Sequence, residues 1–242
     1  MNIIIITGGS KGLGKALVEK YMKQGYEVYS LARTPQKETN PFFSIEIDLS
    51  NLTKTIPVFR NLLEKCIEKN PNSITLINNA GTLGKINTLG KIPLENIESS
   101  VTLNYTSPLI LCSLFVSILS GFKGTKKIRN ISSGAANGSY HGWSVYCSTK
   151  SALDSFSKTL AVEERSSASP VHVLSIYPGI IDTGMQEQIR TSTESEFSEV
   201  QRFKDLKKND ELSSPQEIAE SIYLIDTNNQ IESGEIVDVR NF

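Results

Sequence analysis

The stretch NIIIITGGSKGLG, residues 2–14, decides the fold that this sequence predicts. Its run of isoleucines indicates a strand buried on both faces, and a helical pattern starts directly after the glycines. Glycine permits a tight turn and a close approach of the backbone to a ligand, and the free N–H groups of a helix N-terminus favour phosphate. The glycine spacing is GxxxGxG rather than GxGxxG. A glycine-rich turn without a ligand is therefore the alternative interpretation of this loop alone.

Short apolar runs, separated by segments with helical spacing, continue along the rest of the chain. Strands are predicted near residues 2–7, 27–31, 43–47, 74–78, 127–132, 171–177 and 235–239. Helices are predicted for residues 13–23, 52–69, 95–119, 145–164 and 215–226. The alternation predicts an α/β protein: a single-domain Rossmann fold over residues 1–242, with a doubly wound, seven-stranded parallel sheet flanked by helices.

One long segment, residues 184–212, shows neither pattern. It is rich in Ser, Thr, Glu and Lys and carries isolated apolar residues, among them Met185, Ile189, Phe197 and Phe203. Long irregular segments inside a compact domain are usually functional. We predict that this segment is a substrate lid, and a solvated surface insertion is the alternative.

The charge and cysteine content exclude several classes of function. The 25 Lys and Arg residues nearly balance the 26 Asp and Glu residues, and no basic block is interleaved with aromatics, so nucleic acid is not an expected partner. The N-terminus lacks the features of a secretory signal, and the apolar runs are shorter than the ~18 residues that suggest a membrane span. We expect a cytoplasmic location and no membrane association. The three cysteines are scattered, which predicts free thiols, and with only two histidines no metal site is predicted.

Two cations predict which nicotinamide cofactor is used. Arg33 follows the second predicted strand, where an NAD-preferring enzyme commonly has Asp or Glu for the ribose 2′-hydroxyl. Together with Lys11 in the glycine loop, Arg33 offers charge-assisted hydrogen bonds to a 2′-phosphate. The pair predicts NADPH/NADP+ rather than NADH. Either side chain alone is equally consistent with a solvated surface cation.

Tyr146 and Lys150 are four residues apart in a predicted helix, so their side chains share one face. A neighbouring ammonium favours the phenolate, which makes a tyrosine with an ordinary pKa near ~10 a usable general acid. Ser133 and residues 78–81 stand at the carboxyl ends of predicted strands, the edge at which open α/β sheets bind ligands. Asn104 lies in the following helix. Each of these residues alone is also explained as an ordinary cap, turn or surface residue.

Taken together, these motifs resemble the short-chain dehydrogenases/reductases. The matching stretches are TGGSKGLG (7–14), Asp48-Leu49, NNAG (78–81), Asn104, Ser133, YCSTK (146–150) and PGIIDT (178–183). The resemblance implies a catalytic tetrad of Asn104, Ser133, Tyr146 and Lys150. The predicted cofactor-binding residues are Gly8, Ser10, Lys11, Gly12, Leu13, Gly14, Arg33, Asp48, Leu49, Asn79, Ala80, Gly81, Asn104, Tyr146, Lys150, Pro178, Gly179, Ile181 and Thr183.

The resemblance also implies a role for each member of the tetrad. Tyr146 would protonate the carbonyl oxygen of the substrate, and Ser133 would hydrogen-bond that oxygen. Lys150 would lower the pKa of Tyr146 and hold the nicotinamide ribose. Asn104 would hold a water that links Lys150 to solvent.

Within the family, NISSGAA (130–136), PGIIDTGMQEQIR (178–190) and Arg202-Phe203 resemble bacterial enzymes of the sepiapterin reductase type, and in particular benzil reductases that form (S)-benzoin. This implies reduction of one carbonyl of a vicinal diketone such as benzil, or of sepiapterin. The predicted substrate contacts are Ser133, Tyr140, Trp143, Tyr146 and Met185. Packing in the core or in a dimer interface is the alternative for Tyr140, Trp143 and Met185.

The expected partners are a small carbonyl compound and a second copy of the chain. The ending GEIVDVR, residues 234–240, replaces the VDGG that is frequent in the family and that often takes part in tetramers. We therefore predict a homodimer through the helices that carry Asn104 and Tyr146. Two other functions remain open: reduction of a 3-oxoacyl thioester, and dinucleotide sensing without catalysis. Sensors of this fold typically lose the tyrosine or the lysine, and both are present here.

Overall fold

The computed structural model describes all 242 residues, Met1–Phe242. All seven predicted strands are present, and they pair in parallel. In chain order they are β1 (Asn2–Thr7), β2 (Glu27–Ala32), β3 (Phe42–Glu46), β4 (Ser73–Asn78), β5 (Thr125–Ile131), β6 (Val171–Tyr177) and β7 (Ile236–Asp238). Their order across the sheet is β3-β2-β1-β4-β5-β6-β7, so the winding reverses between β1 and β4 and the predicted Rossmann topology is confirmed.

Helices cover both faces of the sheet. They are α1 (Gly12–Lys23), α2 (Leu52–Glu68), α3 (Leu94–Val101), α4 (Ser107–Ile118), α5 (Ser144–Glu164), α6 (Gly184–Arg190), α7 (Val200–Lys208) and α8 (Pro215–Thr227). The isoleucines of β1 are fully buried and alternate between the two layers. Ile4 and Ile6 share a cluster with α1 and α8, whereas Ile3 and Ile5 share one with α2, α4 and α5. A strand buried on both faces is thus what the run of isoleucines encodes.

The predicted helix 95–119 is interrupted, which corrects that prediction. A π-helical turn, Thr102–Thr106, separates α3 from α4 and contains Asn104. In a continuous α-helix the N–H of residue 108 would bond to the carbonyl of Asn104, but Pro108 has no N–H. The π turn therefore stands where an α-helical hydrogen bond cannot form. Such turns often occur at functional sites.

The predicted irregular segment 184–212 contains the two helices α6 and α7. Its apolar residues are not solvated: Phe197 is fully buried, and Ile189 and Phe203 are 2% and 5% exposed. They pack in a cluster with Trp143 and Tyr146. A solvated insertion is therefore wrong, while the function of this segment as a substrate lid stays a prediction.

A group of buried polar residues lies under α8, on the face of the sheet away from Tyr146. Arg129 of β5 is 1% exposed and donates through Nε to Asp226 Oδ1 at 2.8 Å. Its Nη1 lies 3.0 Å from Nδ1 of His172. Burial and the charge of Arg129 hold the pKa of His172 below its ordinary value. A neutral His172 accepts the guanidinium hydrogen bond, whereas a protonated one would repel Arg129.

One helical segment, Leu94–Ile118, is long and apolar enough to cross a membrane by length and composition, which is also true of many core helices in globular proteins. Here it flanks the sheet, and α4 packs against α2. Only a third of its most apolar stretch is buried, and Leu109 and Ile110 are partly exposed. Exposed apolar surface of this kind often marks a site of contact with another protein.

Candidate active site

The carboxyl ends of β1, β4, β5 and β6 meet at one edge of the sheet, because all four strands are parallel. This edge brings the glycine loop after β1, the Asn79-Ala80-Gly81 turn after β4 and Ser133 after β5 into one region. Tyr146 and Lys150 enter it from α5. Residues separated by more than a hundred positions in the chain thus form one site.

The glycine loop has the geometry that a pyrophosphate needs. Gly8 and Gly12 have φ angles of 71° and 53°, in the left-handed region that favours glycine. A Cβ on Gly14 would overlap the carbonyl oxygen of Gly8, so the turn is too tight for any side chain there. No side chain caps the N-terminus of α1, where Lys11 is the N-cap residue. Its N–H groups remain available to phosphate oxygens, so the loop fits a dinucleotide.

Asn79 fixes the shape of this loop from the β4 side. Its Nδ2 donates to the carbonyl of Thr7 at 2.9 Å and to that of Gly8 at 3.3 Å. In return, Thr7 Oγ1 accepts hydrogen bonds from the backbone N–H groups of Asn79 and Ala80, at 2.9 and 3.0 Å. The predicted cofactor residue Asn79 therefore also acts as a clamp between the two turns.

The other predicted cofactor residues border the same loop. Thr183 begins α6 and lies against Gly12, since a Cβ on that glycine would come 3.3 Å from the Thr183 methyl group. Arg33 and Lys11 are both exposed. Hydrogen bonds from the hydroxyl and N–H of Ser50 lower the pKa of Asp48, and the charge of Arg33 contributes. Arg33 thus lies close enough to Asp48, another predicted cofactor residue, for its charge to act on that carboxyl group.

Tyr146 and Lys150 are 7% and 5% exposed, with the Lys150 Nζ 5.9 Å from the centre of the Tyr146 ring. Burial lowers the pKa of Lys150 to about 8, and the Asp154 carboxylate opposes this effect. Burial raises the pKa of Tyr146, with the Ser133 hydroxyl acting in the opposite direction. The predicted lowering of the Tyr146 pKa by Lys150 is therefore not what the structure shows. The reason is geometric, because the ammonium donates to the carbonyl of Ile131 at 2.8 Å.

Asn104 is 1% exposed and uses its side chain to hold the turn after β4. Its Oδ1 accepts from the N–H of Thr82 and its Nδ2 donates to the carbonyl of Thr82, both at 2.8 Å. A Cβ on Gly81 would lie 3.3 Å from Asn104 Oδ1 and 3.7 Å from Lys150 Nζ, so these two side chains border the same space. The side-chain amide of Asn104 also donates to Thr149 Oγ1 at 3.2 Å, and a water held by Asn104 stays a prediction.

Ser133 and Tyr146 line a cleft of about 260 Å³. The other predicted substrate residues, Tyr140, Trp143 and Met185, line the same cleft. Sequence reasoning did not assign further wall residues, among them Leu83, Tyr177, Ile180, Gln186, Arg202 and Phe203. Gln186, Arg202 and Phe203 reach the cleft because the segment 184–212 folds over the edge of the sheet. In the sequence, only the apolar residues of that segment indicated that it packs against the domain.

Trp143 joins the cleft wall to the core. Its indole stacks on Phe197 with ring centres 4.4 Å apart and planes at 17°. It meets Tyr146 edge-on at 5.5 Å and Phe203 edge-on at 5.6 Å. The packing interpretation of Trp143 is therefore confirmed, because its ring holds the segment 184–212 in place, while its contact with a substrate stays a prediction.

Two buried polar atoms of this wall have no hydrogen-bond partner: Nε1 of Trp143 and Oε1 of Gln186. The two residues are 6% and 7% exposed. An unpartnered buried group typically costs about 1–3 kcal/mol, and such groups often serve a ligand. Two residues that line the cleft thus carry one unpartnered donor and one unpartnered acceptor, both buried in this structure.

Comparison with known proteins agrees with this geometry. Benzil reductase ((S)-benzoin forming) from Bacillus subtilis (strain 168) is 37% identical over 243 residues, covering all of both chains. The enzyme of that name from Bacillus cereus is 33% identical over 248 residues, covering 99% of each chain. Both likenesses extend through the segment 184–212 that forms the cleft wall.

Solved structures share the fold over nearly the whole chain. A short-chain dehydrogenase/reductase from Saccharomyces cerevisiae superposes with a TM-score of 0.84 at 25% identity, covering 99% of this chain and 96% of the other. 4-Hydroxyisoleucine dehydrogenase, solved with NADH, and ElxO, solved with NADP, have TM-scores of 0.82 and 0.79 at 24% and 22% identity, covering 98% of this chain and 96% of each of theirs. Similarity of fold therefore does not distinguish a protein that binds NADH from one that binds NADP. The family profile described as short chain dehydrogenase matches residues 2–194, and the chain belongs to this family of oxidoreductases.

Proposed function

We propose that the protein is an NADPH-dependent carbonyl reductase that reduces one carbonyl of a vicinal diketone such as benzil to (S)-benzoin, or the ketone of sepiapterin. The observation that carries the proposal is the cleft in which the Ser133 and Tyr146 side chains face an aromatic wall built around Trp143. Such a wall suits a flat, aromatic carbonyl compound. The relatives from the two Bacillus species carry the name benzil reductase.

The choice of NADPH rests on Lys11 and Arg33. When bound, the cofactor would supply the hydride for carbonyl reduction. The N–H groups at the start of α1 would hold its pyrophosphate, and the two exposed cations would bind a 2′-phosphate. No acidic residue follows β2 at the place where a ribose 2′-hydroxyl is commonly bound.

The chain's own residues supply the proton. A tyrosine is a neutral phenol near pH 7, and burial raises the pKa of Tyr146 further, so it has a proton to donate to the developing alkoxide. Ser133 offers a second hydrogen bond to the same oxygen, which stabilises the charge. Lys150, with its pKa of about 8, is mainly protonated at pH 7 and can replace the proton that Tyr146 gives up.

The unpartnered atoms of the wall favour a substrate with a second oxygen near the reacting carbonyl. The indole N–H of Trp143 would donate to the neighbouring carbonyl of a diketone. The Gln186 Oε1 would accept from the hydroxyl of a 2-hydroxy ketone such as sepiapterin. An aromatic wall fits a 3-oxoacyl thioester less well than an aromatic ketone. A buried Tyr146 and Lys150 would serve no purpose in a sensor without catalysis.

We also propose a homodimer in the cytoplasm. The partly exposed Leu109 and Ile110 of α4 and the exposed Val162 of α5 belong to helices that cover the same face of the sheet. Burying such a patch against its own copy stabilises a symmetric dimer. The three cysteines are free, as suits a reducing compartment. A monomer mass at micromolar concentration in light scattering would contradict the dimer.

The substrate assignment is tested by following oxidation of NADPH with benzil, 1-phenyl-1,2-propanedione, sepiapterin and an acetoacetyl thioester. We expect the highest kcat/KM with an aromatic diketone or with sepiapterin, and (S)-benzoin as the product from benzil by chiral chromatography. Ser133→Ala should lower turnover on all of them. Activity confined to the thioester would overturn the substrate assignment, and activity with no carbonyl compound would overturn the reductase itself.

A further inference from the structure

A third buried side chain, Asp154, continues the line of Tyr146 and Lys150 along α5. The three residues are spaced by four, so each lies one helical turn beyond the last on the same face. Asp154 is 5% exposed. A carboxylate this deep in a protein is costly unless its oxygens are hydrogen-bonded or paired with a charge.

Hydroxyl groups of β6 fix this carboxylate in place. Ser175 Oγ donates to Oδ1 and Tyr177 OH donates to Oδ2, each at 2.5 Å. The Tyr177 oxygen in turn accepts a hydrogen bond from Nδ2 of Asn137 at 3.0 Å. Since the phenol oxygen is already an acceptor, its proton points at Asp154. Two donors from one strand therefore fix the position of the Asp154 carboxylate.

The carboxylate is the counter-charge of Lys150. Burial strips the ammonium of water, and Asp154 is the charged group that acts against the resulting fall in its pKa. Of the elements packed on α5, β6 contributes Tyr177 and the π turn contributes Asn104, which are both neutral. The acidic residues of α3, Glu95 and Glu98, are exposed. The charged Arg129 of β5 lies on the other face of the sheet, bonded to Asp226.

We propose that Asp154 is a positioning residue of the active site, whose fixed, buried carboxylate keeps Lys150 protonated at neutral pH. Its catalytic consequence rests on the reductase function proposed above, whereas its effect on the charge of Lys150 does not. At an effective dielectric constant of about 20, a unit charge about 6–10 Å away changes a pKa by about 1–2 units. Without Asp154, half or more of Lys150 would be neutral at pH 7 and unable to resupply Tyr146.

The direct test is a titration of Lys150 in the protein without cofactor. The protein is labelled with 13C at the lysine ε carbons, and the Lys150 signal is assigned by its loss in Lys150→Arg. In Asp154→Asn, which keeps the side-chain volume, we expect the Lys150 pKa to fall by about 1–2 units. In Asp154→Glu, most of this fall in the Lys150 pKa should be reversed. Asp154→Ser serves as the neutral variant if Asp154→Asn does not fold.

Ser175→Ala is the matched control, because it removes one hydrogen bond of the cluster and keeps the charge. We expect it to lower Tm without lowering the Lys150 pKa. In the activity assay, the high-pH limb of kcat should move down by the same interval in Asp154→Asn, which lowers kcat at pH 7 by about 2- to 10-fold.

A folded neutral variant with an unchanged Lys150 pKa and an unchanged pH limb would overturn the proposal and leave Asp154 a packing residue. That result would not touch the reductase function. Conversely, a protein inactive on every carbonyl compound would refute the reductase and leave the titration result standing.

Discussion

Replacing Gln186 by methionine tests whether the unpartnered amide of the cleft wall exists for a ligand. Gln186 is 7% exposed, and its Oε1 has no hydrogen-bond partner. An unsatisfied buried polar group costs about 1–3 kcal/mol, and methionine has a similar length with only a soft thioether to bury. We expect Gln186→Met to raise the free energy of unfolding by about 1 kcal/mol. For a chain of this size, that is an increase in Tm of about 2–4 °C.

The same substitution should impair one class of substrate. The hydroxyl of sepiapterin would lose its acceptor, and one neutral hydrogen bond of about 1 kcal/mol corresponds to a roughly 5-fold lower kcat/KM. Benzil has no donor for Oε1, so its kcat/KM should stay within about 2-fold. Stability and activity on the hydroxy ketone therefore change in opposite directions, which is typical of a site residue that is strained without its ligand.

Urea unfolding followed by the fluorescence of Trp143, the one tryptophan, measures the stability change. Gln188→Met is the matched control in the same helix, because Gln188 is exposed and its Nε2 already donates to the carbonyl of Gly84 at 2.8 Å. That control should not gain stability. A Gln186→Met protein that is less stable than the wild type, with unchanged kcat/KM for sepiapterin, would refute the reasoning.

Three further predictions concern the cofactor, the core and acid stability. Arg33→Asp should move the ratio of kcat/KM for NADPH and NADH toward NADH by about 10-fold or more, and an unchanged ratio would remove Arg33 from the cofactor site. Phe197→Ala, at a fully buried position stacked on the indole, should lower the free energy of unfolding by about 3–5 kcal/mol in urea, whereas Leu94→Ala at an 80% exposed position should change it by less than about 0.5 kcal/mol. Because the pKa of His172 is lowered in the folded state, the unfolded chain takes up its proton first as pH falls below about 6.5, so stability should decrease from there downward. His172→Gln should make the free energy of unfolding in urea less dependent on pH between 7.5 and 5. An unchanged slope would exclude protonation of His172 beside Arg129 as the source of this dependence.

The sheet and the cofactor loop were predictable because their signals are local. The isoleucines of β1 and the glycines from Gly8 to Gly14 lie within one short stretch, and a buried strand followed by a phosphate-binding turn is encoded there. The pairing of Tyr146 with Lys150 also follows from helical spacing alone. These predictions required no knowledge of distant contacts.

Other features depend on contacts that spacing does not reveal. The π turn at Asn104 arises because Pro108 lacks an N–H and because Thr82, from another turn, binds the asparagine side chain. An apolar pattern that continues through a helix conceals such an interruption. Pro108 was the available signal, and it lies four residues after Asn104, where the missing bond would be.

Burial of polar side chains was the hardest feature to foresee. Gln186 and Asp154 resemble ordinary surface residues in the sequence, and only the tertiary structure shows that each is more than nine-tenths buried. The raised pKa of Tyr146 was not foreseen for the same reason, since loss of water raises it and the Ser133 hydroxyl offsets this only in part. Desolvation depends on everything packed around a group, whereas spacing describes only its own helix.

The central claim is that Tyr146 donates the proton in the reduction of a carbonyl within this cleft. Tyr146→Phe keeps the ring that meets Trp143 and removes only the hydroxyl, and Ser148→Ala on the exposed side of the same helix is its control. We expect Tyr146→Phe to bind NADPH with a Kd close to that of the wild type, measured by cofactor fluorescence, and to lower kcat with benzil by about 100-fold or more. Near-normal turnover in Tyr146→Phe, with NADPH still bound, would contradict the account.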